Sequence, residues 1–116
     1  MKGGIVYKQG DIVLIPFPYS DLTGAKQRPA LIISNNKINH TQDKICCLIT
    51  SNSTADGIKI DRVHIKEGML PFESWTKPHR LFTVHERIIK KKLCSVNIEF
   101  NEIVTKSVND FIKIES

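Results

Sequence analysis

The chain has 116 residues, 41% of them hydrophobic and 25% charged, with a net charge of +5. That is enough chain for one core, so a single domain over residues 1–116 is expected, and the apolar content excludes a disordered polypeptide. No run approaches the roughly 18 apolar residues that span a bilayer, and Met1-Lys2-Gly3-Gly4 lacks a signal-peptide apolar region, so the expectation is a cytoplasmic protein with no membrane partner.

The charge is unevenly spread. After residue 96, four acids (Glu99, Glu102, Asp110, Glu115) stand against Lys106 and Lys113, a net of −2, which leaves +7 on residues 1–96. A basic body of this kind suits a polyanion such as nucleic acid, although a basic protein without such a partner has the same composition. The cysteines number three, Cys46, Cys47 and Cys94. An odd count with two adjacent inside an apolar run reads as small core residues in a reducing compartment, not as a disulfide framework or a zinc site.

In chain order, Ile12-Val13-Leu14-Ile15 reads as a first strand ended by Pro16-Phe17-Pro18. Tyr19 to Gln27 is polar, carries Gly24, and reads as an exposed loop. Phe17 and Tyr19 flank its start and either can stack on a base, although such aromatics more often pack under a loop. Arg28-Pro29-Ala30-Leu31-Ile32-Ile33-Ser34 follows. A short apolar run that ends at polar Ser34-Asn35-Asn36 favours a buried strand. Pro29 lacks a donor N–H and fits the first residue of a strand. Arg28 then stands at the mouth of a rigid element with a planar fork of donors suited to phosphate.

Asn35 to Asp43 reads as a polar connection. Lys44 to Thr50 is a further continuous apolar run, a strand buried on both faces, ending in Thr50-Ser51-Asn52-Ser53-Thr54. Five small hydroxyl or amide residues there make a donor-rich corner or an ordinary turn. Ile58 to Ile65 alternates with one interruption and reads as a half-buried strand. Gly68-Met69-Leu70-Pro71 turns the chain. Ser74 to Lys77 reads as a short strand ending at Pro78, and Arg80 to Val84 as another. Glu86 to Lys91 reads as one helical turn, and Lys90-Lys91-Lys92 as a solvated face with phosphate contact second. From Asn97, which can cap a helix, Phe100, Ile103, Val104, Val108, Phe111 and Ile112 follow helical spacing. Five or six short strands and one terminal helix point to a mainly β fold, a small curled sheet or barrel with the helix laid against it.

Two positions converge if the second and third strands pair antiparallel: Arg28 opens one and Thr50 closes the other. Ser51 and Asn52 stand beside Thr50. This grouping suits a phosphodiester, with Arg28 neutralising charge on phosphate oxygens and Thr50 or Ser51 adding a hydrogen bond. Arg scarcely releases its proton, so the identity of a base stays open. His79 and His85 bracket one strand and a histidine pair can cleave RNA by acid–base catalysis, but surface positions are the better reading; His40 and His64 have weaker claims. Neither a phosphate-binding glycine loop nor convincing metal-ligand spacing is present, and no cofactor is expected.

Three segments carry a resemblance. Gly10-Asp11-Ile12-Val13-Leu14-Ile15-Pro16-Phe17-Pro18, Asp21-Leu22-Thr23-Gly24 and Lys26 to Ser34 resemble the opening signature of the MazF/PemK family of toxin endoribonucleases. Ile49-Thr50-Ser51 resembles the family's second active-site strand end. Leu81-Phe82-Thr83-Val84 resembles its near-terminal strand, where an Asp usually follows and His85 stands here. The resemblance implies an SH3-like barrel with a C-terminal helix, acting as a homodimer. It implies cleavage of single-stranded RNA, including mRNA, without a metal, through 2′-OH attack that leaves 2′,3′-cyclic phosphate and 5′-OH ends, with growth inhibition as the result. It makes Arg28 and Thr50 the catalytic positions and gives Arg28 a further role as proton donor. Phe17, Tyr19, Lys26, Ser51 and Asn52 are the substrate-binding candidates. The 19–27 loop corresponds to the family's substrate-gating loop, here of the Pro-Phe-Pro type. A cognate antitoxin with an acidic tail is the implied protein partner, which suits the basic body. A related toxin family with the same barrel poisons DNA gyrase through the end of its helix, where Phe111 and Ile112 stand here. A decayed, purely RNA-binding module is the remaining alternative.

Overall fold

The apolar run behind Arg28-Pro29 becomes the central strand of the molecule. The computed structural model describes residues 6–17, 26–53 and 56–116. The strands are β1 (Asp11–Phe17), β2 (Lys26–Ile32), β3 (Asp43–Thr50), β4 (Ile58–Lys59), β5 (Ile65–Gly68), β6 (Trp75–His85) and β7 (Lys91–Val96). The helices are α1 (Asn36–Asn39) and α2 (Ile98–Ile112), with 3-10 turns at Arg62–His64 and Glu86–Ile88. Among the described residues the strands form one antiparallel sheet in the order β4-β6-β3-β2-β1-β7-β5. The expected mainly β fold with a terminal helix is observed, as a curled half-barrel of seven strands. No helix among the described residues is long and apolar enough to cross a membrane.

The continuous apolar runs are explained by burial on both faces. Side chains alternate across a strand, so β2 and β3 feed two separate clusters. Leu31, Cys47 and Ile49 join Ile12, Cys94 and Val96 beneath Phe100, Val104 and Val108 of α2. Ala30, Ile32 and Cys46 join Val13, Ile15, Val84 and Ile89 on the opposite face. The helix therefore packs through positions 100, 104 and 108, a narrower seam than expected. Ile103, Phe111 and Ile112 are exposed. Asn97 caps α2 as expected, its side-chain oxygen accepting from the Phe100 N–H at 3.0 Å while its amide donates to the Val63 carbonyl at 3.0 Å.

Several boundaries differ from expectation for identifiable reasons. Pro16 does not stop β1, which pairs with β2 as far as Phe17 opposite Lys26. The 35–43 connection contains α1, capped by the Asn35 side chain on the Lys37 N–H. The segment 58–65 is not one strand. The Asp61 N–H is taken by His64 Nδ1 at 3.0 Å, and this local bond holds a 3-10 turn in place of a ladder. Pro78 does not end a strand either. The register jumps from Leu81 opposite Cys47 to Lys77 opposite Leu48, so Pro78, His79 and Arg80 form a bulge where a missing N–H costs little. The helical turn after Glu86 is shorter than expected and gives way to β7.

β7 went unread because Lys90-Lys91-Lys92 masks it. Lys92 is bound, not solvated: its Nζ lies 3.6 Å from Asp11 Oδ1 and 3.5 Å from Glu67 Oε1, tying β7 to both neighbours. Asp11 is almost fully buried and also accepts from the Lys8 N–H at 2.8 Å. Lys44 is likewise buried and satisfied, donating to the Thr41 carbonyl at 2.9 Å and pairing with Glu86 at 3.2 Å. A buried charge without such partners would cost several kcal/mol, on the order of 3–5.

The three cysteines are buried and free. Burial pushes the Cys46 and Cys47 thiols up to about 12 and Cys94 up to about 11. The native state thus holds these protons when the unfolded chain has released them. The contribution is complete below the unfolded value near 9 and is lost as pH rises towards 12. We expect all three thiols to be silent to a disulfide reagent at about pH 8 in the native protein and all three to react in denaturant. A second expectation concerns Gly68, whose φ of +81° and Cβ approach of 2.7 Å to the Leu93 carbonyl exclude a side chain. Gly68→Ala should lower stability by about 2 kcal/mol or more, read as a shift in the urea unfolding midpoint.

Candidate nucleic-acid interface

Arg28 is placed by the pairing of β2 with β1, two residues before the ladder with β3 begins at Ala30. It stands opposite Ile15 of β1. On the other side, β2 and β3 pair through Ala30–Leu48, Leu31–Cys47 and Ile32–Cys46. Extending that register by two residues brings Arg28 across from Thr50. Alternation then puts both on the face of the sheet that carries Ala30, Ile32 and Cys46.

At the end of β3, Thr50 is buried and its Oγ1 accepts from the Asn52 N–H at 3.1 Å. This bond bends the chain at Ser51 and Asn52, both exposed. It uses one acceptor site of the hydroxyl and leaves the O–H proton to donate. Of the two readings of this stretch, the bond is that of an ordinary turn anchored by Thr50, with Ser51 and Asn52 exposed upon it.

A cavity of about 580 Å³ opens at this end of the sheet. Its wall includes Lys26, Arg28, Ser51 and Asn52 from the expected set, together with Lys91 and Phe72. Thr50 is not part of that wall: Ile49, Leu70 and Leu93 of the wall belong to the cluster beneath α2, opposite to the face that alternation gives Thr50, so the cavity gathers Arg28 with Ser51 and Asn52 and not with Thr50. Phe17 is the last residue of β1, opposite Lys26, and Tyr19 lies outside the described residues. Lys91 arrives from β7 opposite Leu14. Lys26, Arg28 and Lys91 take part in none of the ion pairs among the described residues. Three cations at one mouth without described counter-charges create a field that concentrates an anion.

Phe72 has no place among the expected site residues, and Lys91 has one only through the second reading of its lysine run, phosphate contact. Lys91 was visible only as one member of a lysine run. The signal for Phe72 was an aromatic between Pro71 and Glu73 in a turn, with no adjacent apolar pattern to bury it.

The histidines lie elsewhere. His79 is exposed, 3.4 Å from Asp56 and edge-on to Phe111 at 6.1 Å between ring centres. His64 holds the Asp61 N–H and tilts against Phe100 at 4.8 Å. His85 has a fully assigned part. Its Nδ1 accepts from the Arg87 N–H at 3.0 Å, which leaves Nε2 to carry the proton and donate to Gln42 Oε1 at 3.0 Å. The ring caps the 3-10 turn at Glu86–Ile88 as an Asp side chain would. Among the described residues no group of three or more His, Cys, Asp or Glu side chains is arranged to hold a metal ion.

A family model described as the PemK-like, MazF-like toxin of type II toxin–antitoxin systems matches residues 8–112. No curated protein matches the sequence as a relative. Among solved structures, a MazE–MazF complex from Deinococcus radiodurans aligns with a TM-score of 0.79 at 16% identity, over 97% of this chain and 100% of that one. An endoribonuclease with its cognate antitoxin from a mycobacterial species aligns with a TM-score of 0.75 at 17% identity, over 95% and 98%. A second mycobacterial endoribonuclease gives 0.73 at 16%, over 97% and 96%. At these identities the structural likeness carries the fold.

The capping geometry yields a test at position 85. His85→Asp should retain the cap and unfold within about 0.5 kcal/mol of the wild type, whereas His85→Ala should lose about 1 kcal/mol, measured by urea titration.

Proposed function

The chain belongs to the PemK-like, MazF-like toxin family of type II toxin–antitoxin systems, and from that premise we propose that it is an endoribonuclease toxin that cuts single-stranded RNA without a metal ion. The observation that supports this most is the cavity holding Lys26, Arg28 and Lys91 beside the Ser51–Asn52 corner. In this reading the RNA 2′-OH attacks the adjacent phosphorus. The P–O bond to the 5′ oxygen breaks as the new bond forms, leaving a 2′,3′-cyclic phosphate and a 5′-OH end. The 2′-OH gives up one proton and the departing 5′ oxygen takes one.

Arg28 stabilises the charge that builds on the phosphate oxygens. Its proton is held too tightly for transfer at neutral pH, so electrostatic stabilisation is its main part. Thr50 holds the corner through the Asn52 N–H and has its own O–H proton for a phosphate oxygen. Ser51 and Asn52 offer further donors, and Lys26 and Lys91 track the backbone. Phe17 and Tyr19, flanking the 19–27 loop, are aromatic faces for bases.

Two of the similar folds were solved with their antitoxins. A cognate antitoxin with an acidic segment is the proposed inhibitor here, and a cytoplasmic homodimer the proposed working form. The exposed Phe111 and Ile112 at the end of α2 favour a second reading, in which that apolar end docks on a gyrase-type target. Growth arrest that survives Arg28→Ala would support it.

Purified protein should cut a long mixed-sequence RNA at discrete sites in EDTA and leave 5′-OH ends. Arg28→Ala should lower the rate by roughly 10²–10³. A folded wild type that binds RNA and yields no cyclic phosphate ends would rule out the nuclease.

A further inference from the structure

The 68–73 segment separates two cavities. The first, described above, holds Arg28. The second, of about 520 Å³, lies across a ridge of Leu70, Pro71 and Phe72 that lines both. Arg62, Lys66, Asp61 and Glu73 provide its charges. Lys59 Nζ lies 3.9 Å from Asp61 Oδ1 and 3.4 Å from Glu73 Oε2, so one lysine is shared between the two acids. Arg62 and Lys66 enter none of the ion pairs among the described residues. With Lys59 counted, three cations face two carboxylates at the second cavity, a net of +1, and Arg62 and Lys66 are the two cations with no acid of their own among the described ion pairs. Its apolar rim is unusually open, with Phe72 73% and Met69 72% exposed.

We propose that this second cavity is a nucleotide subsite for the same RNA strand, with Phe72 stacking on a base and Arg62 and Lys66 holding the neighbouring phosphates. The inference rests on the ribonuclease reading and deepens it. Continuity with the Arg28 cavity supplies the occupant: a strand whose scissile phosphate lies at Arg28 has the ridge as its adjoining surface. Stacking and backbone charge are the means by which single strands are held. Asp61 and Glu73, as acceptors at the rim, can receive the donor edge of the stacked base. Phe72 is therefore a specificity-determining residue for the cut, placed one or more nucleotides away from it.

The test compares wild type with Phe72→Ala, Phe72→Trp and the double variant Arg62→Gln, Lys66→Gln. Ends are mapped on a long mixed-sequence RNA, and light scattering records the oligomeric state. Binding is followed by anisotropy with fluorescein-labelled, random-sequence 2′-O-methyl RNA, which cannot be cut. Phe72→Ala should erase the preference at one position on one side of the cut and weaken binding roughly tenfold, with most of the kinetic loss in KM. Phe72→Trp should restore both. The double variant should shallow the salt dependence of binding by about 1.4 in the log–log slope, the value for two single-strand phosphate contacts. An unchanged recognition word with unchanged binding in Phe72→Ala overturns the proposal. So does a change in oligomeric state without a change in the word, which would make the ridge a contact with a second copy. If the wild type makes no cuts, the nuclease reading fails, while a Phe72-dependent loss of 2′-O-methyl RNA binding still upholds the subsite.

Discussion

A slip of one residue between β2 and β3 would turn the side chains of the strand that moved, Leu31 or Cys47 among them, away from α2 and shift Arg28 relative to Thr50. Register is the constraint on which the molecule depends, and burial on both faces enforces it. Ala30, Leu31 and Ile32 have essentially no exposure, and their neighbours on β1 and β3 are equally covered. A central strand that cannot shift makes a rigid base for the residues at its mouth. The Lys26 and Arg28 side chains therefore project from a backbone held by the β1 ladder and continuous with a segment held on both sides, and the Ser51–Asn52 corner is anchored by Thr50 on the adjoining strand.

Two groups of lysines and arginines stand out. Lys44, Lys59, Lys77 and Lys92 are engaged with Glu86, with Asp61 and Glu73, with Asp56, and with Asp11 and Glu67 respectively. These fix the sheet or its turns. Lys26, Arg28 and Lys91, and then Arg62 and Lys66, lie along the two cavities without described ion-pair partners. Net charge alone does not distinguish these groups. What matters for a polyanion is the unpaired cations that stand together, and five of them line the two adjoining cavities.

The sequence was most legible where a single period or a single run dominated. β2 and β3 were plain because four or more apolar residues in a row have no other use in a small basic chain. The antiparallel pairing of β2 with β3, on which the expected convergence of Arg28 and Thr50 rests, followed from the two runs alone. Less legible were places where one residue serves two ends. Lys92 looked solvated because nothing local shows that Asp11 and Glu67 meet it from distant strands. Pro78 looked terminal because a bulge is a property of the partner's register. His64 broke a strand through a bond to its own backbone neighbourhood. Ile103, Phe111 and Ile112 matched helical spacing, yet the sheet beneath α2 is only wide enough for Phe100, Val104 and Val108. At the site, Lys91 and Phe72 come from segments far along the chain that only tertiary closure brings to Arg28.

That closure has a consequence for biosynthesis. β1, β2 and β3 are consecutive hairpins within the first 50 residues, so the Arg28 strand can pair soon after it leaves the ribosome. β1 gains its second neighbour only when β7 arrives, some 80 residues after β1 begins. Until then Lys91 is absent from the mouth, and the cluster beneath α2 lacks Cys94, Val96 and the helix itself. A nascent chain thus carries its first cationic residues early and finishes their setting last. The Lys91 side of that mouth is in place only after some 80 residues have followed the start of β1.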